Sequence, residues 1–417
     1  MPDKPPRTEI KHQLQAIADT CVMCGMCSTS CPSYQVQRIE QESPRGRISL
    51  INAWAQDNLA ESQTLTRHIE SCLSCGQCEN VCPSGVQYSK LIALFKQAYD
   101  WEHKIPGNTR RIIRLLRDTR KNLLLFQASK IVQRSGLAWL GEISGLTQRL
   151  GLGHLQRLAK QTSSYTKTDL KTSTKSGIAI FTGCIGRHAE SDTIHAAQTL
   201  LTNLGQQVHI PQEQGCCGAL AANLGDAQGM EQDAQRNITI FGQKHITQIG
   251  FIASGCGSAL KRLQTQLPNT PITDLTQIVS AILETRPTRF RPLAKRVLLH
   301  KPCTQRHALK NEGDSMSILG RIPELEIRVL KTRSSCCGAG GSHLLDPQEN
   351  NQVLRNRIIE DISAEHPDII VTSNIGCRLQ IKLGLEEAGL DIPVVHPLLL
   401  LQQQLIEETH ESSNEPH

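Results

Sequence analysis

CVMCGMCSTSCP, residues 21–32, places four thiols within eleven residues, and CLSCGQCENVCP, residues 72–83, repeats the pattern 51 residues later without deviation. Both copies read C-x2-C-x2-C-x3-C-P. Three thiolates at that spacing wrap one iron–sulfur cubane, because a turn-rich loop brings each sulfur inward. The fourth, on the helix that follows, points away and serves the other cluster. The spacing therefore assigns one 4Fe-4S cluster to Cys21, Cys24, Cys27 and Cys82, and a second to Cys72, Cys75, Cys78 and Cys31. Zinc asks for less: four ligands in all, as two pairs a dozen or more residues apart.

Between the motifs, SPRGRISLINAWAQDNLAESQTLTRHIESC reads as helical, with Pro44 near a helix start and apolar Ile48, Leu50, Ile51 and Trp54. The expectation is a helix-rich ferredoxin module, not a compact hairpin type. Gly25, Ser28, Gly76, Ser84 and Gly85 suit either hydrogen bonding to sulfur or simple turns. Arg45 and Arg47 suit either offsetting the charge of a thiolate-bound cluster or pairing with surface carboxylates.

The remaining eight cysteines lie in a duplicated unit. GIAIFTGC reaches Cys184, QGCCGAL carries Cys216 and Cys217, and GFIASGCG carries Cys256. The second copy runs KRVLLHKPC to Cys303, SSCCGAGG through Cys336 and Cys337, and PDIIVTSNIGC to Cys377. Offsets of 119, 120 and 121 residues make an internal duplication. Short β-rich runs alternate with helical stretches such as AESDTIHAAQTLLTNLG, closed by Gly205. That alternation predicts an open, mostly parallel α/β layer with the cysteines at the carboxyl ends of its strands. Four thiolates from three loops fit an iron–sulfur cluster, a zinc ion or redox thiols. GAGG at 338–341 is read as the tight turn that lets the Cys-Cys-Gly backbone approach its metal, and GxGxxG and Walker patterns are absent. His300 and His307, flanking Cys303, are read as hydrogen-bonded structural residues.

The whole chain sets bounds on these readings. Aromatic residues make up 3%, which excludes stacking platforms for nucleic acid. The start, MPDKPPRTEIKHQLQ, lacks the apolar core of a secretory signal, and no run is long enough to span a bilayer. A cytoplasmic location is expected, and 16 cysteines in a reducing compartment point to metal or redox chemistry. Net charge is +6, yet residues 103–176 carry 15 Lys and Arg against 3 Asp and Glu. Within that block TRRIIRLLRDTRKNLLLF, residues 109–126, reads as one amphipathic basic helix, with Arg110, Arg114, Arg117 and Lys121 on one side and Ile112, Ile113, Leu116 and Leu123 mostly on the other. Such a helix suits an anionic membrane surface, an acidic partner, or a solvated face over a packed stripe. The expected architecture is α+β overall. A helical ferredoxin domain (1–100) leads through a basic helical linker (101–175) to two α/β open-sheet Cys-Cys-Gly domains (176–290 and 291–408) and a disordered tail (409–417).

Two C-x2-C-x2-C-x3-C-P motifs followed by two Cys-Cys-Gly units, with SPRGRISLI, CPSGVQY, ASGCG, HKPCTQRH and TSNIGCRLQ between and around them, resemble the iron–sulfur subunits of bacterial glycolate oxidase. The wider superfamily includes subunits of anaerobic glycerol-3-phosphate dehydrogenase, lactate-utilisation proteins and heterodisulfide reductase. The resemblance implies that a flavoprotein partner carrying FAD takes electrons from a 2-hydroxy acid. This chain, with no flavin or nicotinamide site and no catalytic residue of its own, passes them toward a membrane acceptor, a quinone. It implies inactivity in isolation. One departure matters: the fuller Cys-Cys-Gly motif closes with CxxC, where this sequence has Ala259 after Cys256 and Gln380 after Cys377. That weighs against a five-cysteine cluster and disulfide reduction. A zinc-holding scaffold is the third reading.

Overall fold

The cysteine duplication corresponds to two four-stranded parallel sheets. The computed structural model describes residues 6–135, 153–161, 175–311, 313–331, 336–346 and 348–406. In the first sheet the strands are β1 (Gly177–Phe181), β2 (Val208–His209), β3 (Ile246–Phe251) and β4 (Ile272–Asp274), in the order β2-β1-β3-β4. In the second they are β5 (Arg296–Leu299), β6 (Glu326–Val329), β7 (Ile369–Val371) and β8 (Val394–Val395), in the order β6-β5-β7-β8. GIAIF is buried at all five positions, as a strand covered on both faces must be. In each sheet the chain leaves the central strand to one side and returns on the other. The crevice this opens lies beyond the carboxyl ends of β1 and β3, or of β5 and β7. Cys184 and Cys256 follow the first pair, and Cys303 and Cys377 follow the second.

The two units share a core. Helix Ser191–Asn203 of the first packs on Pro397–Gln404 of the second, and Leu275–Thr285 packs on Asp314–Leu319. Ile178, Leu200, Val279, Leu299, Leu398 and Leu401 belong to one buried cluster. Arg378, next to Cys377, reaches across to Glu190 Oε2 at 2.9 Å and to the Ala189 carbonyl at 3.2 Å.

Residues 6–106 form helices without strands, as the sequence predicts. Arg7–Ala18, Pro44–Ala55 and Tyr88–Ala98 pack together, and Trp54, Phe95, Tyr99 and Trp101 fill the space beside them. Ser43 caps the middle helix, accepting from Gly46 N at 2.9 Å, with Pro44 in the first turn.

The linker differs from expectation. The basic helix is two helices, Gly107–Arg117 and Thr119–Arg134, separated at Asp118 (ψ 110°). Asp118 Oδ1 accepts from Lys121 N at 3.1 Å and so caps the second helix. Arg117 is no solvated residue; it binds Asp226 at 2.7 Å and Asp233 at 3.1 Å in the first sheet unit. Ile113 and Leu116 are buried, whereas Leu123 is exposed. The tail at 409–417 and much of the linker lie outside the described residues.

Candidate metal centres

Each C-x2-C-x2-C-x3-C-P motif folds the same way. The residue two after the first cysteine is left-handed (Met23 φ 56°, Ser74 φ 51°), as is the glycine before the third (Gly25 φ 82°, Gly76 φ 74°). Short helices Met26–Ser30 and Gln77–Asn80 then begin. This winding puts three sulfurs of each motif on the wall of one cavity, and at Gly25 and Gly76 glycine takes the left-handed conformation without a Cβ penalty.

Two cavities result. One is lined by Cys21, Cys24, Cys27, Cys78 and Cys82, together with Tyr88. The other is lined by Cys31, Cys72, Cys75 and Cys78, with Arg47, Tyr88 and Ser258. Val86 N donates to Cys82 Sγ at 3.5 Å and Tyr88 Oη to Cys72 Sγ at 3.7 Å, donors that suit a thiolate carrying the charge of a cluster. Burial pushes the Cys78 thiol well up, and burial together with neighbouring Cys303 does the same to Cys75. Buried thiols of this kind give up their protons only when a metal core compensates the charge. Among the described residues no group of three or more His, Cys, Asp or Glu side chains is arranged to hold a metal ion; the motif sulfurs line the walls of the two cavities. The donor sets fit cubanes.

Arg45 and Arg47, alike in sequence, part company. Arg45 pairs with Glu40 at 2.6 Å near the surface and donates to the Met23 carbonyl at 3.1 Å. Arg47 is fully buried, with Nη2 2.6 Å from Glu42 Oε2 and Nη1 4.0 Å from Cys31 Sγ.

In the first sheet unit Cys184 and Cys216 sulfurs lie 3.7 Å apart, and a Cβ on left-handed Gly183 would be 3.5 Å from Cys256 Sγ. In the second, Cys337 and Cys377 sulfurs lie 2.7 Å apart, and Cys303 opens a π-helical turn, Thr304–Leu309. Burial pushes the Cys303 thiol up to about 12. His300 joins β5 to β7 through Thr372 Oγ1 at 2.9 Å, and burial lowers it to about 3, so it is a neutral structural group.

The second sheet unit sits on the second motif, a contact not legible from either segment alone. Leu73 packs with Cys336 and Leu354; Asn80 Nδ2 lies 2.7 Å from His307 Nδ1, and His343 Nε2 2.9 Å from the Glu70 carbonyl. The GAGG turn also meets this contact. Gly340 faces the ferredoxin loop, where a Cβ would stand 2.2 Å from the Leu73 carbonyl oxygen. Gly340→Ala is expected to cost about 1–3 kcal/mol through overpacking, read as a lower unfolding temperature and faster loss of iron to a chelator. The first unit contributes Ser258 to the same cavity, and Asn374, Ser254 and Thr304 tie the two units beside it (Ser254 Oγ to Thr304 Oγ1, 2.7 Å; Asn374 Nδ2 to Ser254 Oγ, 3.0 Å).

Comparison with known proteins agrees with this construction. A family model described as a 4Fe-4S dicluster domain matches residues 17–86, and one described as a cysteine-rich domain matches 178–261 and again 297–382. The chain is 29% identical over 415 residues to the glycolate oxidase iron-sulfur subunit of Escherichia coli, covering 95% of this chain and 96% of that one. It is 28% identical over 407 residues to the probable glycolate oxidase iron-sulfur subunit of Bacillus subtilis, covering 89% of each. A subunit of the dihydromethanophenazine:CoB–CoM heterodisulfide reductase of Methanosarcina barkeri is 21% identical over 417 residues, covering 93% and 94%. Along this chain, a segment that matches a 4Fe-4S dicluster domain is followed by two that match a cysteine-rich domain.

Proposed function

We propose that this chain is the electron-transfer subunit of a flavin-dependent glycolate dehydrogenase, accepting electrons from FAD on a partner flavoprotein and delivering them to a membrane quinone. The likeness to glycolate oxidase iron-sulfur subunits over nearly the whole length carries this reading. Cys21, Cys24, Cys27 and Cys82 hold one cluster, and Cys72, Cys75, Cys78 and Cys31 the other, as the two cavity linings support. When bound, the clusters supply one-electron carriers. The chain's own residues position them and decide which one a partner reaches.

Internal symmetry supports a direction. Leu73, in the second motif, is 5% exposed beneath the second cysteine-rich unit; its counterpart Val22 is 68% exposed, with Met23 at 48% and Met26 at 56% beside it. Motif two is covered from within, and the apolar collar of motif one awaits an external cover, the flavoprotein. Val22→Asp with Met26→Asp should weaken that association about tenfold or more while iron content stays unchanged, measured as slower bleaching of the chain by flavoprotein and glycolate. No helix among the described residues is long and apolar enough to cross a membrane. Exposed Leu124 and Ile131 beside Lys121 on Thr119–Arg134 support peripheral contact with the bilayer.

Purified alone, the chain should not oxidise glycolate; mixed with its flavoprotein, it should be reduced by glycolate in preference to lactate or glycerol 3-phosphate. Turnover by the isolated chain would sink the reading. The likeness to a heterodisulfide reductase component supports a second one, disulfide reduction, which predicts consumption of a disulfide by the dithionite-reduced chain alone.

A further inference from the structure

The two four-thiol motifs share one pattern through the last cysteine and its proline, and part six residues after that cysteine. In the first motif the position is Gln37, exposed at the end of helix Pro32–Gln37. In the second it is Tyr88, 6% exposed at the start of helix Tyr88–Ala98. Tyr88, Cys78 and Pro44 belong to the linings of both cysteine cavities, so these three residues form the partition between them.

The partition carries a donor toward one cavity. Tyr88 Oη lies 3.7 Å from Cys72 Sγ, and a buried hydroxyl needs such a partner to offset the water it has lost. Burial and the neighbouring thiols push the Tyr88 phenol well above its ordinary range, so it keeps its proton and donates. Cys21, the counterpart of Cys72, has the Met23 thioether beside it, Sγ to Sδ 3.8 Å. A thioether has no proton to give a thiolate. Phenylalanine would fill the same stretch of wall as Tyr88; what the oxygen adds is a hydrogen bond aimed at one sulfur.

We propose that Tyr88 is a positioning residue that sets the step in potential between the two clusters: acting through Cys72, its hydroxyl holds the second cluster at higher potential than the same site would have without it. The reduced form of a cluster carries one more negative charge, so a hydrogen bond to a ligand sulfur stabilises that form and raises the potential. Electrons that enter at the open first motif are thereby drawn inward, to the motif that the second cysteine-rich unit covers. The proposal rests on the cluster assignment above and on no particular electron donor.

The test is an EPR-monitored redox titration of the full chain, purified anaerobically, with Cys24→Ala and Cys75→Ala marking which signal belongs to which cluster. Tyr88→Phe should keep the wild-type iron content and move only the signal that Cys75→Ala removes, to more negative potential. The sharing of one electron between the clusters should shift about tenfold toward the first, which is about 59 mV. Fluorotyrosine incorporated throughout the chain strengthens the phenol as a donor with little change of shape, and should move the same signal the opposite way. Among the described residues Tyr88 is the only tyrosine lining either cavity. An unmoved second-cluster signal in an iron-replete Tyr88→Phe, or an equal shift of both signals, overturns the proposal. If Tyr88→Phe loses iron, the fluorotyrosine chain decides, and an unmoved signal there overturns it. The expected shifts in a chain that glycolate and flavoprotein fail to reduce leave Tyr88 its role and remove the proposed function instead.

Discussion

Cys82→Ala is expected to remove about four irons per chain, and to remove them from the cluster of the other motif. Its sulfur lines the cavity of Cys21, Cys24 and Cys27, not that of the three cysteines that precede it in sequence. Cys31 is the mirror case, lining the cavity of Cys72, Cys75 and Cys78. Double variants make the exchange measurable, since residues serving one centre are non-additive and those serving two are additive. Cys82→Ala combined with Cys24→Ala should lose no more iron than either alone. Combined with Cys75→Ala it should lose about eight. Electron delivery through the chain should fall to background in every case. Additive loss in the first pair, with no further loss in the second, would show that each motif binds its own cluster.

Arg47→Met should be the most destabilising single change in the dicluster domain, by about 3–5 kcal/mol, because it strands a buried carboxylate. Glu42 is 2% exposed and is held by Arg47 Nη2 at 2.6 Å and His68 Nδ1 at 2.7 Å. The guanidinium also binds Ser33 Oγ at 3.0 Å, Ser71 Oγ at 2.7 Å and the His68 carbonyl at 2.7 Å, so one side chain joins both motifs and the helices between them. Arg47→Met with Glu42→Met should recover much of the loss, since removing both charges removes the stranded one. Thermal unfolding of the cluster-loaded chain measures this. A double variant no more stable than Arg47→Met would show that the ion pair is not the cause. Arg47 Nη1 also lies 4.0 Å from Cys31 Sγ, so the single variant should shift the potential of the cluster that Cys31 serves.

Nothing in PRGR distinguishes Arg45 from Arg47, because helical spacing gives their directions but not what stands opposite them. Glu42, Ser33 and Ser71 arrive from three segments, and only their convergence makes Arg47 interior. The linker break was legible in principle: Asp118 is a good cap, but the hydrophobic period runs on through it and hid the signal. Gln380 stood out in the sequence only as a missing cysteine. Its burial, and its lack of a hydrogen-bond partner among the described residues, are properties of the packed helix.

By itself the sequence determined the two four-thiol motifs, the duplication, and the parallel order of strands and helices. Each is a short-range property: covalent spacing limits which sulfurs share a loop, and period-two and helical patterns follow from backbone geometry. Only the tertiary structure decided that the second cysteine-rich unit, not the first, covers Leu73, and that Val22 is left open. The two copies are nearly equivalent as patterns. The choice between them rests on contacts more than 200 residues apart, such as Asn80 with His307 and Gly340 with Leu73. These depend on how whole surfaces fit, and local sequence carries no record of that.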